Sequence, residues 1–172
     1  MVARSDMAID IREAAALAAA FQRAPEVVEA EIHAATLESL LLLEREVKEN
    51  TPVGIGGGGG LKGSFSARGP NTLGEETLGE VGSNLNYAVP VELGSKPHFP
   101  PIEPLSDWAR AKLGVPAEEA RSVGFLVARK ISRKGTEPVE MVQRAMRDNE
   151  RQVQEIFSRA VARIASRIGG QA

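Results

Sequence analysis

The sequence predicts a single α+β domain over residues 1–172, in which an antiparallel β-sheet meander packs against a long N-terminal helix and a long C-terminal helix. Three observations lead to this fold class. Apolar residues recur at helical spacing in residues 25–50 and again in residues 138–168. Between them, residues 61–93 contain short alternating stretches separated by Gly, Pro and Asn, which is typical of antiparallel strands. Prolines and glycines set off a further helix pair, inserted at residues 103–135.

The composition is that of an ordinary folded domain. The chain has 172 residues, of which 42% are hydrophobic and 26% charged. No apolar run approaches the ~20 residues needed to span a bilayer, and residues 1–6 lack the apolar stretch of a signal peptide. We therefore expect a protein that is made and kept in a cytoplasm and has no membrane partner.

The first fifty residues are predicted to be mainly helical. Alternation at residues 7–11 indicates a short first strand, and the Ala-rich stretch Arg12–Gln22 favours a helix. Pro25 suits the first turn of a second helix, because its missing N–H is not needed there. That helix continues to Asn50, and its leucines between 37 and 42 widen the apolar stripe, so we expect it to be covered on two sides.

A glycine run follows this helix. Thr51 precedes Pro52 and is therefore pushed out of the helical region. Glycines cannot order their own backbone at low cost, so residues 51–63 are predicted to form a flexible loop. Because such segments often become ordered on binding, we expect this loop to contact a neighbouring subunit. The predicted interaction loop comprises Gly54, Gly56, Gly57, Gly58, Gly59, Gly60, Leu61 and Lys62.

Three strands are predicted after the loop. The first covers Leu61–Ala67 and is followed by a turn at Gly69–Asn71. The second covers Thr77–Val81 and the third Tyr87–Leu93. Pro90 cannot donate a ladder hydrogen bond, so the third strand is expected at the edge of the meander.

Helices dominate the remainder of the sequence. A Pro-rich loop, Gly94–Pro104, leads to a helix at Leu105–Leu113 that Gly114 is expected to close in the left-handed conformation. A second helix is predicted at Glu118–Arg133. The last helix is expected to open at Pro138 and to continue for about thirty residues, longer than the usual ~11–12.

No motif predicts an enzyme. Gly54–Gly59 fits G-x-G-x-x-G on paper, but that fingerprint requires a strand before it and a helix after it, and the order predicted here is the reverse. Lys62 is followed by Gly63 and not by Ser or Thr, so the P-loop pattern also fails. The chain has no cysteine, and its two histidines, His33 and His98, are far apart in the sequence. We therefore predict no catalytic residue, no cofactor and no metal.

Charge is distributed unevenly along the chain. The net charge is −2, yet residues 1–50 hold five Lys or Arg against ten Asp or Glu, whereas residues 118–168 hold eleven against seven. This polarity suits head-to-tail packing of identical subunits, in which an acidic face meets a basic one. The alternative is that both are solvated helix faces.

A basic run near the end of the predicted helix 118–133 also has two interpretations. Its cations could contact phosphates, or they could stabilise the negative end of the helix dipole. The negative net charge argues against a dedicated nucleic-acid binder and favours the second. The patch comprises Arg129, Lys130, Arg133 and Lys134.

Several segments resemble one known family. Thr51-Pro52-Val53, the glycines and Leu61–Ser64 look like the "TPVdTGxLrxS" stretch of the phage tail-component family typified by gene product ten of phage HK97. Asn86–Ser95 resembles that family's "YAxyVEfGT" strand and loop, and the sequence from His98 through Trp108 resembles a subgroup with an inserted helix pair. The residues from Glu137 onward resemble its closing element. The usual Asp after Thr-Pro-Val is absent.

The resemblance spans about residues 25–168 and implies a structural, non-enzymatic virion protein. Family members are tail-completion, tail-terminator or neck (head-tail joining) subunits, often in a homohexameric ring. The resemblance thus implies assembly in the host cytoplasm, a place in the virion, and partners that are further copies, other neck or tail proteins, and DNA in the channel. The family-motif residues are Tyr87, Val91, Glu92, Gly94, His98, Pro100 and Pro101. The alternative function is a small nucleic-acid-associated or regulatory helical module that uses the basic patch.

Overall fold

The computed structural model describes residues 12–54, 60–74 and 76–169. The strand predicted at residues 7–11 and half of the predicted interaction loop, Gly56 to Gly59, lie outside these residues. In the described part the elements are α1 (Arg12–Asn50), α2 (Leu61–Ser64), β1 (Ser66–Leu73), β2 (Glu76–Gly82), α3 (Ala88–Leu93), α4 (Ile102–Leu113), α5 (Ala117–Lys134) and α6 (Met141–Gly169). This content confirms the predicted α+β class, with a long helix toward each end and an antiparallel sheet between them.

Helix α1 is continuous through Pro25, so the prediction of two helices divided there is wrong. The residues before the proline, Gln22-Arg23-Ala24, are good helix formers and include no turn residue. A proline inside a helix removes one backbone hydrogen bond and crowds the carbonyl four residues earlier, which can kink a helix without ending it. The helix therefore continues through this position.

Helices α1 and α6 pack in opposite directions and form the core. Near one end Val47 of α1 packs with Met141 and Ala145 of α6. Further along, Ala35 and Leu42 pack with Ile156. Complete burial of a side chain such as Ile156, which is 1% exposed, contributes about 1.5–3 kcal/mol. Alanines at several of these contacts let the two backbones approach closely.

The sheet is a two-stranded antiparallel ribbon, so the predicted meander is wrong in its number of strands. One face of the ribbon lies on α1, where Val81 packs against the cluster around Val47. The Glu44 carboxylate of α1 accepts a hydrogen bond from the backbone N–H of Ala67, 2.8 Å away. The ribbon is thereby fixed on the C-terminal half of the helix.

The turn predicted at Gly69–Asn71 is wrong as well, because these residues lie within β1. Arg68 pairs with Glu80 and Asn71 pairs with Leu78, so two residues of β1 lie opposite one residue of β2. This is a β-bulge, which accommodates both a glycine and a proline in a strand. The reversal of the chain occurs after Leu73 instead.

The strand predicted at Leu61–Ala67 begins later, at Ser66, because Leu61–Ser64 form a helical turn. Leu61 and Phe65 are both buried in the cluster around Val47. A helical turn brings residues four apart onto the same side and close together, whereas a strand would separate them by about 13 Å. Burial of both side chains in one cluster therefore favours the turn.

The third predicted strand, Tyr87–Leu93, is the short helix α3. Pro90 is the third residue of this helix, and its missing N–H lies in the first turn, where backbone donors have no intrahelical partner. A proline that was expected to mark a sheet edge is thus compatible with a helix start.

Two helices, α4 and α5, lie where the sequence predicts a helix pair, and they pack on each other through small buried residues. Gly114 adopts the left-handed conformation after α4, as predicted. Where the chain enters and leaves this pair, Ser95 and Thr136 exchange two backbone hydrogen bonds of 3.1 Å each. Helix α6 begins at Met141 and not at Pro138, because the residues before it pair with the end of α3.

Candidate assembly interface

The start of α6 is held by a carboxylate from the family-motif segment. Glu92, on α3, accepts hydrogen bonds from the backbone N–H groups of Val142, at 2.9 Å, and Gln143, at 3.0 Å. The first N–H groups of a helix have no partner within the helix, and the helix dipole places partial positive charge there. A carboxylate at this position satisfies both donors. Glu92 therefore positions the long C-terminal helix, a role that does not require a ligand.

The other motif segment reaches the same place. Thr51 is buried, and its hydroxyl donates to the carbonyl of Val47 at 2.6 Å and lies 3.4 Å from the sulfur of Met141. Asn50 donates through its side-chain amide to the Met141 carbonyl at 3.5 Å. The two segments that resemble the family are thus distant in sequence but meet at the first turn of α6.

Gly94 and Gly135 shape the base of the helix pair. Their φ angles are +74° and +72°, in the region that favours glycine. A Cβ at Gly94 would collide with the Thr136 carbonyl, and one at Gly135 would collide with the Ser95 carbonyl. The backbone N–H of Val139 also donates to the carbonyl of Val91 at 3.0 Å. Val91 and Gly94, like Glu92, therefore serve the fold.

The exposed part of the motif is apolar. On α3 and the residue before it, Tyr87, Val89 and Leu93 are 49%, 63% and 59% exposed. His98 is exposed, and its Nδ1 lies 2.9 Å from the Lys96 carbonyl. Pro100 is half-buried and the exposed Pro101 precedes α4. Of the motif residues, Tyr87, His98 and Pro101 are thus exposed to a partner, together with the neighbouring Val89 and Leu93.

The predicted interaction loop is only partly described. Gly54 is exposed, and open space surrounds both Gly54 and Gly60. Lys62 is half-buried. Leu61 is 6% exposed and belongs to the core, so its assignment to a contact loop is wrong. The sequence offered a signal for this, since Leu61 lies four residues before Phe65 and both are large and apolar.

The four basic residues of the predicted patch lie together on the outer side of α5. Arg129, Lys130, Arg133 and Lys134 are exposed and, with Leu126, line an open depression of about 320 Å³. Within the described ranges, none of the four forms an ion pair with a carboxylate. These four residues therefore share one exposed surface of α5.

Two apolar side chains adjoin the basic residues, and the sequence analysis missed both. Phe125 and Leu126 are 45% and 59% exposed. Phe99, from the loop before α4, packs on Phe125 with a ring-centroid distance of 6.1 Å. Positions 122, 126, 129 and 133 recur at helical spacing on the side opposite the buried residues Ala120, Gly124 and Ala128, and this pattern could have revealed the face.

Part of the charge polarity in the sequence is neutralised inside the chain. Glu31 of α1 is 5% exposed, and its carboxylate pairs with Arg163 at 2.6 Å and Arg167 at 3.1 Å, both on α6. Glu38 pairs with Arg159 at 2.9 Å. Neither sequence interpretation, subunit packing or solvated faces, anticipated these ion pairs between the two long helices.

In the described part of the chain, no three His, Asp or Glu side chains converge as metal ligands. No helix among the described residues is both long enough and apolar enough to cross a membrane. We found no match between this sequence or fold and any protein-family model, curated protein or solved structure.

Proposed function

We propose that this chain is a structural subunit of a tailed-bacteriophage particle, a tail-completion, tail-terminator or neck (head-tail joining) protein that works in a homo-oligomeric ring. It would be assembled in the host cytoplasm, reside in the virion and act without catalysis. Its partners would be further copies of itself and other neck or tail proteins, with DNA passing through the channel.

One observation carries the proposal. The segments around Thr51 and Glu92, identified only by their resemblance to the phage family, meet at the first turn of α6. The motif residues fix the position of the C-terminal helix, which supports the resemblance as one of fold.

Exposed apolar surface supports an assembly role. Val89 and Leu93 on α3 and Leu126 on α5 are each more than half exposed, on two separate elements. Contiguous exposed apolar surface marks contact sites for other proteins, and Val89 and Leu93 lie one helical turn apart on α3. A ring subunit needs one such surface for each neighbour, because a ring is closed by contacts between two different faces of the same chain.

The test is disruption of the coding sequence in the phage that carries it. We expect particles to be lost, with heads and tails that fail to join or tails of uncontrolled length, as seen by electron microscopy. Supplying the intact chain from a plasmid should restore infectious particles, and the chain should be present in purified virions by mass spectrometry. Fully infectious virions that form without the polypeptide would refute the proposal.

The interaction loop is tested in the same system. Deletion of Gly56 to Gly60 should prevent assembly without unfolding the subunit, if the loop contacts a neighbour as predicted. Normal particles from the deletion variant would remove the loop from the interface and leave the rest of the proposal standing.

The second candidate, a nucleic-acid-associated helical module, has one observation in its favour. Arg129, Lys130, Arg133 and Lys134 line one open depression on α5. Duplex DNA bound there should dissociate as salt rises, in proportion to the number of phosphate contacts. A DNA titration of the isolated subunit with a salt slope near zero would exclude this candidate.

A further inference from the structure

The outer side of α5 combines apolar and basic residues in a fixed order along the helix. From the N-terminal to the C-terminal end it presents Leu126, then Arg129, Lys130, Arg133 and Lys134; we call these five residues the α5 face. Phe125 borders the face and packs against Phe99. All five residues are exposed, and none of the four basic ones pairs with a carboxylate in the described part of the chain.

A second exposed surface, on α1, carries acidic residues and then apolar ones from its N-terminal to its C-terminal end, the order that complements the α5 face in an antiparallel arrangement. Glu26, Ala30, Ala34, Leu37 and Leu41 follow one another at spacings of three or four and are all exposed; we call them the α1 stripe. Glu29 and His33 flank the stripe and are exposed as well. Acidic residues thus lie toward the N-terminal end of the stripe and leucines toward its C-terminal end.

We propose that the α5 face of one copy docks on the α1 stripe of the next copy, with the two helices antiparallel. In that orientation Leu126 lies against Leu37, and the basic end of α5 lies against Glu26 and Glu29. The inference deepens the proposed ring, and rests on it, by naming the two faces that join neighbouring subunits.

The register of the two surfaces agrees. Leu37 and Glu26 are eleven positions apart, about 16 Å along the helix axis. Leu126 and Lys134 are eight positions apart, about 12 Å, and a lysine or arginine side chain is long enough to bridge the difference. Ala30 and Ala34 are small, so a partner helix can approach closely at the centre of the stripe.

The combination of basic and apolar residues on the α5 face favours a protein helix over a nucleic acid as its partner. A phosphate backbone would use the basic residues but would leave Phe125 and Leu126 exposed, at 45% and 59%. The α1 stripe satisfies both parts of the face. Because the two faces differ, a head-to-tail contact between them can repeat around an axis.

The absence of cysteine from the sequence allows a direct cross-linking test. One variant carries Leu126→Cys and a second carries Leu37→Cys, so any disulfide between the two variants joins different copies. Mixed at high protein concentration under mild oxidation, they should give a covalent dimer. The matched control replaces Leu37→Cys by Val161→Cys on α6, which is 59% exposed. A yield with Val161→Cys equal to that with Leu37→Cys, or no dimer in either mixture, would overturn the proposal.

Charge exchange provides a second test. The variant with Arg129→Glu and Arg133→Glu should self-associate at least about tenfold more weakly than the parent, because like charges then face each other. The variant with Glu26→Lys and Glu29→Lys should be weakened similarly. An equimolar mixture of the two variants should recover self-association, since every contact in an alternating assembly then joins opposite charges. Failure of the mixture to recover would contradict the docking.

Two controls complete the design. Arg110→Glu with Lys112→Glu reverses exposed charges on α4 of the same helix pair, outside the α5 face, and should leave sedimentation unchanged. All variants are also titrated with duplex DNA at several salt concentrations. DNA binding that is lost in Arg129→Glu with Arg133→Glu, combined with no Leu37–Leu126 cross-link, would assign the face to phosphates and refute the subunit contact.

These outcomes are separable from the proposed function. If the cross-link fails but the chain is still required for particles and found in virions, the interface falls and the function stands. If the cross-link forms but virions lack the chain, self-association stands and the phage role falls.

Discussion

Replacement of Glu92 tests the junction on which the fold depends. Its carboxylate accepts hydrogen bonds of 2.9 and 3.0 Å from two N–H groups at the start of α6. A hydrogen bond to a charged group contributes about 1.5–3 kcal/mol, and loss of a helix cap costs about 0.5–2 kcal/mol. Since the two donors become accessible to water once the side chain is gone, we expect Glu92→Ala to cost about 2–3 kcal/mol. Glu92→Gln keeps an acceptor but loses the charge, so we expect about 1 kcal/mol.

The assay is urea unfolding followed by far-ultraviolet circular dichroism. A loss of about 2 kcal/mol in a domain of this size lowers Tm by roughly 4–8 °C, which thermal melts would verify. The matched control is Glu137→Ala, which removes an exposed carboxylate near the same helix start that accepts no hydrogen bond from the described residues. It should change the free energy of unfolding by less than about 0.5 kcal/mol. If Glu92→Ala and Glu137→Ala were equally mild, the capping interpretation would be refuted.

Three further predictions concern other contacts. Gly135→Ala should lower the free energy of unfolding by more than about 2 kcal/mol, because a Cβ there adds a collision with a backbone carbonyl to the left-handed strain. Gly114→Ala has open space around it and should lower it by only about 1–2 kcal/mol in the same denaturation assay. The Lys48 side chain and the Ala67 N–H lower the pKa of Glu44 from its ordinary value of 4.5. The ionised Glu44 carboxylate therefore stabilises the fold above pH 4.5, and this stabilisation is lost as the pH falls through the lowered pKa. The gap in unfolding free energy between the parent and Glu44→Gln should therefore narrow below about pH 4, and a pH-independent gap would contradict this. Glu31→Leu should lower the free energy of unfolding, measured by urea titration, less than Arg163→Ala does. The reason is that Arg163→Ala leaves the buried Glu31 carboxylate with only the weaker of its two ion pairs. The reverse order would count against the ion-pair reasoning.

The long helices were predictable because their apolar spacing extends over many turns. The periodicity of residues 138–168 predicted α6, which begins three residues later than expected, and Gly114 predicted the end of α4. Local signals failed where tertiary contacts decide the backbone. Pro90 fits a strand edge or a helix start equally well, and only the packing of Val91 against the core and the hydrogen bonds of Glu92 select the helix.

The candidate surfaces were predictable in part. A run of cations in residues 129–134 was visible in the sequence, and the structure places those residues on one face. The pairing of Glu31 with Arg163 joins residues that are far apart in the chain, so no local pattern could reveal it. Sequence charge alone therefore overstated the polarity that is free for partners, because Glu31 and Glu38 are already paired with arginines of α6.

The pairing of Ser95 with Thr136 has a consequence for how this protein can be altered. The two residues lie side by side in an antiparallel bridge, so the segment between them, which contains α4 and α5, leaves and rejoins the rest of the chain at one place. A two-residue Asn-Gly turn could join them directly, as in a β-hairpin. The shortened chain, which lacks α4 and α5, would keep the Glu92 cap and the contact between the long helices. Comparison with the full chain would show what α4 and α5 contribute to function.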